Sequence, residues 1–393
     1  MTESPPPSPF GRPPLLIVGA SARAAAFAAL RAGFEPVCLD RYGDADLAAV
    51  ARVQRVDPYP DGIIAALADW PVIPAMYVGA IENEGAVIDA LAARGPLLGN
   101  PRNVVEEVRR PERLVEAFRE LRLPCLDVCH SDQPPPRDGN WLIKPRRSAG
   151  GRRIAVWDAA TPVPTEPHYF QQRALGDSYS AVFVAPPDRS DVRFVGLTRQ
   201  MVGHPLLNAA PFGWCGSAGP ETLPVGIEHL VRRIGNYLSW KFNLCGLFGC
   251  DFVVDGDGMP RLTEVNPRYP ASTEVLEHAL HVALLRDHAA AFGGELPAAR
   301  PPVTPAVDAL GKFVLFSDRD FVAPAPADWL QPAEWLHAGL WNQTPLLADV
   351  PQAGTPIAAG QPICTVCTVG KTTAECLARF PDAVNSVKSR LFS

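Results

Sequence analysis

The chain has 393 residues, 47% apolar and 20% charged, a balance that fits a soluble globular protein of two or three domains and excludes general disorder. Its formal net charge of −6 argues against a nucleic-acid-binding surface, although the basic stretch KPRR at 144–147 leaves a small anionic ligand open. No apolar run reaches the roughly 18 residues of a membrane span, and the start MTESPPPSPFGRPP lacks the build of a signal peptide, so a cytoplasmic protein without membrane contact is expected.

Residues 1–14 contain six prolines and read as a disordered arm. An α/β domain is expected over 15–100. LLIVGA reads as a buried parallel strand, SARAAAFAALRAGF as a helix and EPVCLD as a second strand ending at Asp40, with VIPAMYVG and EGAVIDALAARG as further strand and helix. Such a unit invites a dinucleotide, but GASARA has one glycine where the G-x-G-x-x-G pattern needs three, so a plain α/β domain with polar loops at its strand ends is preferred.

A second domain is expected over 101–293. NPRNVVEEVRRPERLVEAFRELRLP has helical periodicity up to Pro124, and the proline-rich DQPPPRDGN leads into the strand WLIKP, a glycine-containing basic loop and the strand IAVWD, a hairpin with a mobile tip. HYFQQRAL, SYSAVFVA and VRFVGLTRQMV read as strands of an antiparallel sheet. PVGIEHLVRRIGNYLSW is helical, a hairpin turning at DGDG follows, and one helix spans roughly 273–292. Beyond it GELPAARPPVTPA reads as a linker, and KFVLFS, PIAAG and PICTVCTV as a small β-rich C-terminal extension over 294–393. Nine cysteines suit reduced, buried thiols; Cys364 and Cys367 form one CxxC without a second pair or nearby histidine, so a buried strand outweighs a metal or redox role.

TEVNPRYPAS at 263–272 places Glu264, Asn266 and Arg268 at every second position, on one face of an extended segment. Pairing across DGDG brings Asp251 to Glu264 and Asn266, and two carboxylates with an amide oxygen are hard ligands suited to magnesium. A solvated hairpin face is the plain alternative. Lys144 ends an apolar strand just before the small residues Ser148, Ala149, Gly150 and Gly151, whose backbone N–H groups can approach phosphate closely. At the strand ends of the first domain Arg23, Asp40, Asp44, Asp46, Glu82 and Asn83 are candidates for substrate contacts, with Arg23 and Glu82 ahead because each interrupts an apolar run. His204 reads equally well as a structural histidine.

In this order and spacing, WLIKPRRSAGG, QQRALGDSYSAVF and CDFVVDGDGMPRLTEVNPR resemble the ATP-grasp superfamily, and more narrowly a group of ATP-dependent carboligases related to biotin carboxylase and associated with tetrahydromethanopterin-linked one-carbon metabolism. The tail AGTPIAAGQPICTV is similar to that group's C-terminal segment. The resemblance implies an α/β fold with a parallel-sheet domain ahead of an ATP-grasp domain of two subdomains hinged near 170–176. It implies ATP as nucleotide, with Lys144 on its phosphates, Ser148, Gly150 and Gly151 closing over them, and Gln172, Arg173 and Leu175 at the adenine hinge, where glutamine replaces the usual acid. It also implies Mg2+, with Mn2+ as a substitute, on Asp251, Glu264 and Asn266, and Arg268 on the transferred phosphoryl group. The family's second nucleotide lysine is missing, and Arg109 or Arg110 is left to replace it. The activity implied is carboxylate–amine ligation through an acyl-phosphate on small-molecule substrates, adding an amino acid to a one-carbon carrier; a carboxylase-like or phosphotransfer enzyme and a non-catalytic nucleotide binder are the alternatives. A homodimer stays open.

Overall fold

A computed structural model describes residues 11–123, 125–294, 296–298, 307–331, 334 and 343–392. Most of the N-terminal arm, Pro124 and most of the linker expected after residue 294 lie outside these residues. Four strands, β1 (Pro14–Gly19), β2 (Glu35–Asp40), β3 (Arg52–Arg55) and β4 (Ala75–Tyr77), form a parallel sheet in the order β3-β2-β1-β4. The apolar run of β1 is buried from Leu15 onward, as an interior parallel strand covered on both faces requires. The helix Arg23–Ala32 that follows is mostly alanine, and its small side chains share a core with Leu285 and Ala289 of the helix Leu284–Ala291.

Four strands, β5 (Val128–His130), β6 (Asp138–Pro145), β7 (Ala155–Asp158) and β8 (His168–Gln172), make a separate antiparallel sheet in the order β5-β8-β6-β7. The largest sheet takes β9 (Gly176–Ala185), β10 (Arg193–Val202), β11 (Trp214–Glu221), β12 (Gly246–Asp255), β13 (Pro260–Asn266) and β14 (Ala309–Phe316). Of the short strands β15 (Phe321–Val322), β16 (Leu347–Ala348) and β17 (Pro356–Ile357) and the longer β18 (Pro362–Gly370), β18 and β16 complete it in the order β13-β12-β9-β10-β11-β14-β18-β16.

Several expectations change. The strands HYFQQ and GDSYSAVFVA, read as neighbours in one sheet, belong to two sheets, so residues 173–175 pass between them. The helical run after residue 101 splits into Arg102–Val108 and Pro111–Glu120, because Pro111 lacks an N–H to continue the first helix and starts the second. The helix expected over 273–292 breaks at His281, which is left-handed at φ +56°, into Ser272–Leu280 and Leu284–Ala291. The C-terminal strands are no appendage: β14 pairs with β11, and the chain closes on the helix Thr373–Leu391, capped by the Thr372 hydroxyl accepting from the Glu375 N–H at 3.2 Å.

Candidate active site

The β12–β13 hairpin sets the acidic edge. Asp251 lies opposite Glu264, and Gly249 opposite Asn266, so all three polar side chains share a face. The register depends on a bulge: Phe252 faces Leu262, and the extra residue, Thr263, donates its hydroxyl to the Asp251 carbonyl at 3.0 Å. In an unbulged register Asp251 would face Thr263 instead. Asn266 donates its amide to Asp251 Oδ2 at 2.9 Å, and its Oδ1 accepts from Arg268 Nη2 at 2.9 Å. Among the described residues the buried Asp251 Oδ1 has no hydrogen-bond partner. Burial, aided by Glu264, pushes the Asp251 carboxyl up to about 6.

An orphaned carboxylate oxygen opposite a second carboxylate is a place that a hard cation relieves. Asp251 and Glu264 fit that role, and the Asn266 oxygen, expected beside them, accepts one hydrogen bond from Arg268. Among the described residues no group of three His, Cys, Asp or Glu side chains could hold a metal ion. Phosphate oxygens and water would therefore have to supply the remaining ligands.

Lys144 on β6 donates to Gln171 Oε1 at 2.9 Å and approaches the Thr263 carbonyl at 3.4 Å. Both acceptors are neutral, so its charge is left for a ligand. Gln171 was not among the expected residues; it occupies the inward position of a QQ pair whose second member is exposed. Past Lys144 the loop holding Ser148, Gly150 and Gly151 folds against residues 212–214. Gly150 is left-handed at φ +63° and its carbonyl accepts from the Trp214 N–H at 3.0 Å; Gly151, at φ +73°, leaves room for no Cβ, which would lie 1.9 Å from the Phe212 carbonyl oxygen. The Ser148 carbonyl accepts from Arg109 Nη2 at 3.0 Å and Asn83 Nδ2 at 3.2 Å.

Arg109 also donates to the Glu82 carbonyl at 2.8 Å and Asn83 Oδ1 at 2.9 Å, and lies 3.9 Å from Glu264. Arg110 instead pairs with Glu107 on the surface, so Arg109 alone of the two reaches the site. Arg268 places Nε and Nη2 on Glu82 Oε1 at 3.0 and 2.8 Å. Burial works against the Glu82 charge, but Arg268 and Arg109 override it and hold the carboxyl below its usual range. Two residues from opposite ends of the sequence reading thus meet as one ion pair.

At the hinge, Gln172 lines the cleft, while its N–H and that of Arg173 are spent on the Asp127 and Asn140 carbonyls at 2.8 Å each. Leu175 is exposed, and neither it nor Arg173 lines the cleft. Arg23 does line it, but its guanidinium is committed: it pairs with Glu274, including Nη2 to Oε2 at 3.0 Å, and bonds Asp349 at 3.1 and 3.2 Å, with Lys312 on Glu274 at 2.6 Å. Asp40 accepts from the N–H groups of Ala22, Tyr42 and Gly43, and Asp46 from those of Asp349 and Val350, so both hold loops in place. His204 accepts from the Leu206 N–H at 3.3 Å and sets its edge on Phe380, a structural role. Cys364 and Cys367 are buried on β18, and burial pushes both thiols up, Cys367 to about 12, which disfavours the thiolate.

Lys144, Gln172, Asp251, Glu264, Asn266 and Arg268 line one cleft of about 1420 Å³, which also takes in Tyr42 and the C-terminal segment near Pro351. A single small ligand fills roughly 300–1,000 Å³, so the cleft has room for a nucleotide and a second substrate. A parallel α/β domain, a small antiparallel sheet with a glycine flap and a large sheet carrying paired carboxylates define a class of nucleotide-binding fold. Residues 112–272 match the family model of the ATP-grasp domain, so this part of the chain is an ATP-grasp domain.

Solved structures share the fold over nearly the whole chain. N5-carboxyaminoimidazole ribonucleotide synthetase from Thermus thermophilus is 16% identical, covering 94% of this chain and 98% of its own at a TM-score of 0.65. N5-carboxyaminoimidazole synthase from Aspergillus clavatus, in complex with ADP and 5-aminoimidazole ribonucleotide, is 13% identical, covering 96% and 99% at 0.66. Biotin carboxylase from Campylobacter jejuni is 13% identical, covering 94% and 91% at 0.65. No curated protein matches the chain in sequence.

Proposed function

We propose that the chain is an ATP-dependent ligase that activates a small-molecule carboxylate as an acyl-phosphate and transfers it to an amine, releasing ADP and phosphate. The observation that carries this reading is the Lys144 ammonium without a carboxylate partner, in the same cleft as the orphaned Asp251 oxygen opposite Glu264. Both are arrangements that a magnesium-bound triphosphate would complete. Asp251 and Glu264 would hold Mg2+, which supplies charge neutralisation for phosphoryl transfer. Lys144 would sit on the phosphates, the loop from Ser148 to Gly151 would exclude water from the acyl-phosphate, and Arg268, aligned by Glu82, would face the oxygens that gain charge. Structural neighbours that bind ADP in this fold support the nucleotide. Addition of an amino acid to a one-carbon carrier rests on the sequence resemblance alone.

A carboxylase-like reaction is the second reading, favoured by neighbours whose names describe carboxylation. Release of ADP is the common test. A screen of acids and amines, with and without bicarbonate, should show ADP only when an acid and an amine are both present; dependence on bicarbonate would favour the second reading. Glu264→Ala should abolish substrate-dependent ADP release, and Lys144→Met should weaken ADP binding by about tenfold or more, roughly 1.4 kcal/mol. Full turnover in Glu264→Ala would remove the metal assignment.

A further inference from the structure

Far from Gln172, the cleft runs over the carboxyl ends of β2 and β3, where ligands of open parallel sheets bind. Arg41 and Tyr42 follow β2, Arg55 ends β3, Tyr59 lies on the next loop, and Arg152 reaches in from the flap; all five line the cleft. The Arg41 guanidinium sits 5.3 Å from the Tyr42 ring centroid and 5.9 Å from that of Tyr59, so two aromatic faces preorganise it. The Tyr59 hydroxyl is buried and has no hydrogen-bond partner among the described residues. Burial raises it well above the ordinary phenol range, so it remains a donor at neutral pH.

Charge at this end of the cleft is also unbalanced. Arg147 and Arg153 of the flap pair with Glu84 and Glu166, but among the described residues Arg41, Arg55 and Arg152 have no carboxylate within ion-pair distance. Asp44 shares the wall, and burial together with Asp349 and Asp46 pushes its carboxyl well above the usual range, which reduces its negative charge there. The buried, orphaned Tyr59 hydroxyl beside Arg41, in a cleft that Arg55 and Arg152 also line, is an arrangement that an anionic ligand would complete.

We propose that the carboxyl ends of β2 and β3 form an oxyanion subsite for the second substrate of the ligase, with Arg41 and Arg55 receiving a phosphate or carboxylate group of that molecule and the Tyr59 hydroxyl donating to it. The subsite rests on the ligase reading and adds the chemical class of the acceptor: it carries an anionic group remote from its reacting end. Arg152 would close on the same group as the flap shuts, linking lid closure to acceptor occupancy.

The test is titration calorimetry on the full chain saturated with Mg-ADP, using inorganic phosphate and succinate as probes, for wild type, Arg41→Gln/Arg55→Gln and Tyr59→Phe. Wild type should bind at least one probe, the double variant should weaken it by about tenfold or more, and Tyr59→Phe by less, with ADP affinity unchanged in both. The tighter probe tells phosphate from carboxylate. Equal binding by wild type and the double variant, or no binding by ADP-loaded wild type, overturns the subsite while leaving the nucleotide site intact. Failure of wild type to bind Mg-ADP would instead overturn the ligase reading, and the acceptor role of the subsite with it.

Discussion

Asp251 and His288 show how burial tunes single groups. Asp251 is raised to about 6 by burial and by the facing Glu264, a state that a cation would relieve. His288 is neutral for a structural reason: Nδ1 accepts from the Leu247 N–H at 2.9 Å at the start of β12, and Nε2 bonds the Leu98 carbonyl at 3.0 Å. Burial lowers it from 6.5 to about 4. Between those values the unfolded chain takes a proton that the folded one refuses, so the folded state loses stability as pH falls. Buried Asp40 and Asp46, raised by burial to about 6 and 7, act in the opposite direction over much of the same range. The histidine contribution is therefore visible as a difference. Unfolding free energy of wild type minus that of His288→Gln should drop by roughly 1.4 kcal/mol per pH unit from about pH 6.5 to about pH 4. A difference that does not change with pH in urea titrations would mean that His288 is charged in the fold.

Among the elements, the flap between β6 and β7 is the one on whose shape the proposed function depends most. Gly150 and Gly151 are both left-handed, but only Gly151 has backbone in the path of a Cβ. Gly150→Ala meets open space and should cost about 1 kcal/mol of local strain. Gly151→Ala must displace the flap from Phe212, and substrate-dependent ADP release should fall by about tenfold or more. The thermal midpoint should hardly move, because the flap buries little apolar surface. Equal activity of the two variants would show that the flap does not need this seat. The glycines, Lys144 and the two strands of the acidic hairpin were legible because each has a local signature of chain direction or residue type. The β13 bulge was not, since a one-residue register shift depends on both strands at once. Nor was the split between β8 and β9: consecutive apolar strands carry no mark of which sheet they join.

Across the whole molecule, the buried ions tie the N-terminal α/β unit to the C-terminal strands. Arg23 joins Glu274 and Asp349, Lys312 joins Glu274, and Asp46 accepts the backbone N–H groups of Asp349 and Val350. Removing one member of such a set leaves charges buried and uncompensated, at roughly 3–5 kcal/mol. Arg23→Met should therefore lower the denaturant midpoint sharply, and Lys312 alone should not rescue Glu274. Unchanged stability with a raised KM for the second substrate would return Arg23 to the substrate-contact role that its position first suggested. By itself the sequence determined the α/β class, the ATP-grasp motifs and the residue types of the proposed nucleotide site, because strand periodicity, glycine loops and alternating polar residues are local patterns. Only the tertiary structure decided that Glu82 partners Arg268, that Arg109 rather than Arg110 reaches the flap, that Arg23 is locked in an ion network and that β14 and β18 extend the central sheet. Those outcomes join residues up to 326 positions apart, and their energies come from burial and pairing that no short window of sequence contains.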